Sequence, residues 1–300
     1  MYVITGATGN TGNVIARKLL AQGQKVRAVG RSADRLRPLA AAGAEPFACE
    51  LTDTTALARA FSGARAVYAM VPPSLTSNDY RGDQAKVADA IADAIDQAQV
   101  KYAVSLSSVG ADKAEGTGPV VGLHYLEQVL NRIPELNVLH LRPAYFMENT
   151  LAQSDVVQTM GITAGPIRAD LMMPMIATRD IGAAAADALA GLDFNGKQTR
   201  ELLGQRDLSY SEATRIIGQA IGKPDLNYVQ LPDEQIRAAF TQMGMSSNVA
   251  GLILEMSGAL NSGHMRALEQ RSAENTTPTS FEAFVEEEFV PRYRGKSISA

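Results

Sequence analysis

The run Met1-Tyr2-Val3-Ile4-Thr5-Gly6-Ala7-Thr8-Gly9-Asn10-Thr11-Gly12 decides the fold. Val3 and Ile4 form a short apolar strand. Gly6, Gly9 and Gly12 follow at spacing G-x-x-G-x-x-G, and Val14, Ile15, Leu19 and Leu20 then recur with helical periodicity up to Gly23. A strand that turns tightly into a helix leaves unpaired backbone N–H groups at the positive end of the helix, where phosphate binds. Gly6 permits the turn, Gly9 admits a pyrophosphate close to the backbone, and Gly12 lets the helix lie near the strand. Loops are rich in glycine, so the triplet alone says little. The strand before it, the helix after it and a second strand at residues 25–29 make it specific for a dinucleotide site. The expected cradle is Gly6, Thr8, Gly9, Asn10, Thr11 and Gly12.

The tip of the second strand narrows the ligand. An NAD site places Asp or Glu there to bond the ribose 2′-hydroxyl. This chain has Val29-Gly30 and then Arg31, with Arg35 four residues on. Guanidinium groups suit a 2′-phosphate, through charge-assisted and often bidentate bonds. The expected cofactor is therefore NADP(H) rather than NAD(H). Glu50 and Leu51, after a third strand at residues 45–48, are expected near the adenine edge.

The same alternation continues. Residues 66–71 form a fourth strand, stopped by Pro72-Pro73, and Val71-Pro72 is expected above the cofactor. A helix is expected over residues 83–99, a fifth strand over 102–106 leading to Ser107-Ser108, a helix from about Pro119, and a sixth strand over 138–141 leading to Tyr145-Phe146. Six strands alternating with five helices argue an α/β, Rossmann-type doubly wound parallel sheet. Ligands of such sheets bind beyond the carboxyl ends of the strands, so Ser107, Tyr145 and Phe146 join the expected cofactor contacts. The division expected is a nucleotide-binding domain over residues 1–150 and a smaller α/β substrate lobe over 151–300, with elements crossing back. In that second part, residues 161–165 read as a turn, 201–203 as a strand, and Ser209 with Glu212 as a capping box. The apolar stretch with Met243, Met245, Met256 and Leu260 fits either core packing or a substrate or dimer wall.

Composition bounds the rest. The chain has 300 residues, 46% hydrophobic and 20% charged, which allows a sizeable core. A net charge of −4 gives no electrostatic reason to bind nucleic acid. Cys49 stands alone, so no internal disulfide forms, which fits a reducing, cytoplasmic setting. With a strand at its opening, no signal peptide is expected; no apolar run reaches the roughly 20 residues of a membrane span, and the scattered histidines favour no metal site. A monomer or homodimer acting on a small molecule is expected.

The opening run, with Val26-Arg27-Ala28-Val29-Gly30-Arg31, resembles the NmrA-like family of atypical short-chain dehydrogenase/reductases. So do the runs from Leu141 to Asn149 and from Ile176 to Gly182, and the tail from Thr277 to Tyr293. The resemblance spans nearly the whole chain. It implies a Rossmann domain, a preference for NADP(H) and a small C-terminal substrate lobe. The family holds reductases of quinones, triphenylmethane dyes and phenylcoumarans, and also redox-sensing regulators that bind the cofactor without evident turnover.

Ordinary short-chain dehydrogenases pair Tyr with Lys at Tyr-x-x-x-Lys, where the lysine lowers the tyrosine pKa. None of the nine tyrosines here has a lysine four residues on. Many family members also carry a lysine upstream of a glutamate that matches Glu127, and that slot falls here near Gly122 or Leu123. Sugar-nucleotide epimerase chemistry is disfavoured accordingly. His124 and Tyr125 are the candidate proton donors. The plainer roles are a helix histidine bonded to Glu127 or Gln128, and a packing tyrosine. A quinone or other conjugated acceptor needs mainly a hydride from a well-held cofactor, so a reductase of a small apolar or aromatic acceptor is the expected function. The alternative is an NADP(H)-sensing regulatory protein.

Overall fold

The computed structural model describes residues 1–295. The alternation resolves into β1 (Tyr2–Ile4), α1 (Asn10–Ala21), β2 (Val26–Gly30), α2 (Ala33–Ala41), β3 (Glu45–Ala48), α3 (Thr54–Phe61), β4 (Ala66–Ala69), α4 (Tyr80–Gln97), β5 (Tyr102–Leu106), α5 (Val121–Asn131) and β6 (Asn137–Pro143). Asp53 starts α3 by accepting from the Ala56 amide at 2.9 Å. Asp79 does the same for α4 through Gly82, so that helix begins three residues before the expected Asp83.

Then come β7 (Tyr145–Phe146), α6 (Gln153–Met160), β8 (Thr163–Gly165), β9 (Met173–Ile176), α7 (Thr178–Gly191), β10 (Lys197–Leu202), β11 (Asp207–Leu208), α8 (Tyr210–Ala220), β12 (Tyr228–Gln230), α9 (Asp233–Gln242) and α10 (Ser247–Ser262). A helical tail from Phe281 to Tyr293 carries a π turn at Val285–Phe289. The Ser209–Glu212 capping box at α8 is present as expected. Of the expected turn at 161–165, Gly161 ends α6 with φ +70°, while residues 163–165 form strand β8, paired in parallel with β12.

The main sheet has seven parallel strands in the order β10-β6-β5-β4-β1-β2-β3. The order in which the chain adds strands reverses between β1 and β4, which is the topological switch point where ligands of such folds bind. Side chains alternate across the sheet: Tyr2 and Ile4 face one core with α1, α2 and α7, while Val3 faces the other with α3, α4 and α5. Two elements from beyond residue 150 belong to this layer. β10 is the seventh strand, pairing Lys197 with Val138. α7 packs so closely on α1 that a Cβ on Gly182 would lie 2.7 Å from the Val14 Cβ, and Lys18 pairs with Asp187 at 2.7 Å.

A third core gathers Met147, Met173, Met175, Tyr210, Phe281, Phe284 and Phe289. It carries the short sheets β11-β9-β7 and β12-β8 and sits beside the carboxyl ends of the main strands. Among the described residues no helix is long and apolar enough to cross a membrane.

Candidate functional site

The glycine turn is built from both sides of the switch point. Gly6 has φ +61°, which L side chains rarely adopt. Gly9 caps α1 with extended backbone and no side-chain hydrogen bond, so no side chain covers the helix start. A Cβ on Gly12 would lie 2.3 Å from the Gly6 carbonyl oxygen, so helix and turn touch only because Gly12 has none. β4 ties the two ends of the turn together. Thr5 Oγ1 donates to the Tyr68 carbonyl at 2.8 Å and accepts from the Met70 amide at 3.2 Å, and the Tyr68 hydroxyl donates to Thr11 Oγ1 at 3.0 Å. Burial pushes the Tyr68 phenol well above its ordinary value, so it serves as a fixed neutral donor.

Over this turn lies a cavity of about 880 Å³. Of the residues expected from sequence, Gly6, Thr8, Gly9, Arg31, Arg35, Glu50, Leu51, Val71 and Pro72 all line it. Asn10 is exposed at the helix start, while Thr11 and Gly12 are buried beneath it, so these three shape the cradle without lining the cavity. Arg31 and Arg35 are exposed and make no ion pair among the described residues; the neighbouring Asp34 pairs with Arg37 instead. Cys49, next to Glu50, has its thiol pushed up to about 11, by burial first and then by Asp53 and Glu50, so it is no thiolate nucleophile at neutral pH.

A second cavity, about 380 Å³, adjoins the first at Pro73, which lines both. Its walls are apolar and rich in sulfur and aromatic groups: Tyr145, Phe146, Met172, Met173, Met256 and Met265. Tyr145 and Phe146 were expected on the cofactor. They form β7, which pairs with β9 rather than with the main sheet, and this turns them into the second cavity. The Tyr145 hydroxyl lies 2.7 Å from that of Tyr210, which stacks on Tyr228. Burial raises all three phenols above their ordinary value. This is the opposite of the activation that a neighbouring lysine provides.

The remaining expected residues lie elsewhere. Ser107 is buried and donates to Glu127 Oε1 at 2.5 Å, and Glu127 accepts from Arg142 at 2.8 and 2.6 Å, a closed internal network. His124 Nδ1 donates to the Ala111 carbonyl at 2.8 Å, not to Glu127 or Gln128. The Tyr125 hydroxyl donates to Asp89 at 2.8 Å on the outside of α4 and α5. Neither side chain lines either cavity. The phase of α5 explains this: it buries Gly122, Leu126, Val129 and Leu130, and closeness in sequence to Ser107 carried no information about that phase. Sequence reasoning passed over Gln84, which is buried in the wall of the larger cavity. The available signal was a polar residue on the stripe Gln84, Ala88, Ile91 and Ile95, all buried along one side of α4.

Residues 2–285 match the NmrA-like family, and the chain belongs to it. It is 27% identical over 258 residues to an NAD(P)H azoreductase of Xenophilus azovorans, covering 85% of this chain and 86% of that protein. The Escherichia coli NADPH-dependent quinone oxidoreductase QOR2, solved with NADPH, superposes with a TM-score of 0.81 at 22% identity, covering 96% of this chain and 100% of that one. The Citrobacter sp. triphenylmethane reductase, solved with NADP(H), gives 0.75 at 18%, covering 94% and 98%. At such identities the structural likeness speaks for the fold: an α/β, Rossmann-type doubly wound sheet with a smaller C-terminal lobe.

Proposed function

We propose that this chain is an NADPH-dependent reductase of a small apolar or aromatic acceptor, such as a quinone or an azo compound. One observation carries the reading: an apolar, methionine-lined pocket adjoins a dinucleotide-sized cleft at Pro73. The azoreductase, quinone reductase and triphenylmethane reductase relatives support the same class.

The residues present suit the cofactor. The cleft has the volume of a dinucleotide site. The uncapped start of α1 and the glycine turn offer backbone N–H groups to the diphosphate. Arg31 and Arg35 offer two free cations to a 2′-phosphate, and Glu50 and Leu51 face the adenine end. A bound NADPH supplies the hydride. The chain's own contribution is to hold the dinucleotide, to seat an apolar acceptor beside it and to keep water out with Phe146 and the methionines. Protonation of the reduced acceptor falls to solvent, because the one phenol lining the acceptor pocket among the described residues, Tyr145, is bonded to Tyr210 and not activated.

The test is loss of NADPH absorbance with a panel of quinones and azo compounds, alongside the Kd for NADPH. Turnover with at least one acceptor class is the expected outcome. Tight NADPH binding with no turnover across the panel would replace this reading with that of a cofactor-sensing regulator.

A further inference from the structure

We propose that Gln84 is a positioning residue for the half of the bound dinucleotide that lies toward the acceptor pocket, and that Gly122 is its seat. The proposal rests on the cofactor reading above and goes beyond it.

Gln84 is 5% exposed, on the inner side of α4, and lines the larger cavity. Its Oε1 is buried with no hydrogen-bond partner among the described residues. A buried amide oxygen with nothing to bond is costly, and such groups ordinarily find a partner. The side chain is not there by default of space. A Cβ on Gly122 would fall 2.1 Å from Oε1, 2.4 Å from Cδ and 2.9 Å from Cβ of Gln84, so α5 leaves out a side chain where α4 inserts one. Neighbouring Asp83 is already engaged, accepting from Ser77 at 2.6 Å and Lys86 at 3.1 Å.

Placement fixes which half of the ligand is involved. Gly122 lies one turn along from Pro119, which lines the acceptor pocket, and the cleft meets that pocket at Pro73. Arg31 and Arg35 line the same cleft from the loop and helix that follow β2. A carboxamide both donates and accepts, so it matches a neutral ligand group that does the same. On the nicotinamide side these are the ribose hydroxyls and the nicotinamide carboxamide.

The experiment compares wild type, Gln84→Met and Gly122→Ala for thermal stability without ligand and for Kd toward three probes: NADPH, 2′-phospho-ADP-ribose and 2′,5′-ADP. Gln84→Met keeps the shape and removes the unpaired oxygen. Its ligand-free Tm is expected to hold or rise, while NADPH binds roughly tenfold more weakly, about 1.4 kcal/mol. Gly122→Ala, which fills the seat, weakens NADPH in the same direction. Binding of 2′,5′-ADP, which lacks the distal half, is unchanged in both variants. A loss retained with 2′-phospho-ADP-ribose assigns the contact to the ribose; a loss confined to NADPH assigns it to the nicotinamide carboxamide.

Unchanged NADPH affinity in Gln84→Met, or an equal loss with 2′,5′-ADP, overturns the proposal. A lower Tm with unaltered affinity marks Gln84 as packing and overturns it too. If wild type binds none of the probes, the cofactor reading itself fails and takes this one with it; if wild type binds and the variants bind alike, only Gln84 loses its role.

Discussion

Arg31 and Arg35 are two exposed cations held at the tip of β2 with no acid to meet them. On the proposed cofactor reading, a 2′-phosphate would give both a charged partner, and the 2′-hydroxyl of NADH would offer only a neutral acceptor. Hydrogen bonds to charged groups contribute about 1.5–3 kcal/mol, and solvent exposure pulls this pair toward the lower end. Arg31→Ala should therefore weaken NADPH binding roughly tenfold and leave NADH nearly unchanged, with the NADPH loss shrinking at high salt. Equal losses for both cofactors would remove the 2′-phosphate role. Tyr145 makes the contrasting case. Its hydroxyl faces Tyr210 and its phenol is raised by burial. A general acid contributes roughly 10²–10⁴-fold. Tyr145→Phe should lower kcat by less than about tenfold, and a loss of the larger size would restore the phenol as proton donor.

At the scale of elements, legibility followed burial. β1, β2, β4, β5 and β6 could be read because each carries a buried apolar run, whereas the mostly exposed β3 was legible only from its place in the alternation. β10, Lys197-Gln198-Thr199-Arg200-Glu201-Leu202, could not be read in full, because it is an edge strand whose first half is exposed and polar. Its place beside β6 depends on pairing, which no local pattern encodes. The nine cleft residues were legible because the strand-tip rule places them. His124 and Tyr125 were not, since helix phase relative to the sheet decides where they point. β6 also carries a group that the function does not use. His140 accepts or donates between Ser105 Oγ at 2.7 Å and Asn131 Oδ1 at 3.0 Å, and burial drives its pKa from 6.5 down to about 4. Between those values the folded histidine is neutral and the unfolded one protonated, so the unfolded state binds more protons. Stability is then full above pH 6.5 and is lost as pH falls toward 4, by an amount on the order of 3 kcal/mol. His140→Gln, which retains polar bonding, should flatten the fall of Tm across that window. A variant that keeps the wild-type slope would assign the acid sensitivity to other groups.

For the whole molecule, the arrangement separates charge from greasiness. The main sheet offers a cleft that carries Arg31, Arg35, Glu50 and Asp83; the C-terminal core offers an apolar slot; the two meet at Pro73. The chain as a whole is acidic, with net charge −4, yet among the described residues the one charged side chain lining the slot is a cation, Arg266. It is exposed and makes no ion pair among the described residues. An acceptor with an aromatic body and one anionic substituent can bury the first and leave the second at Arg266. A cationic acceptor of the same size meets repulsion there. Because the guanidinium is solvated, the gain is that of an exposed pair, about 0.2–1 kcal/mol, or up to roughly fivefold in kcat/KM. Two quinones sharing one ring system, one bearing a sulfonate and the other a quaternary ammonium, provide the measurement. At low salt the sulfonate should be favoured, the preference should fade as ionic strength shortens the screening length, and Arg266→Glu should reverse it. A preference that survives Arg266→Glu unchanged would mean that selection by charge occurs elsewhere on the surface, not at the mouth of the slot.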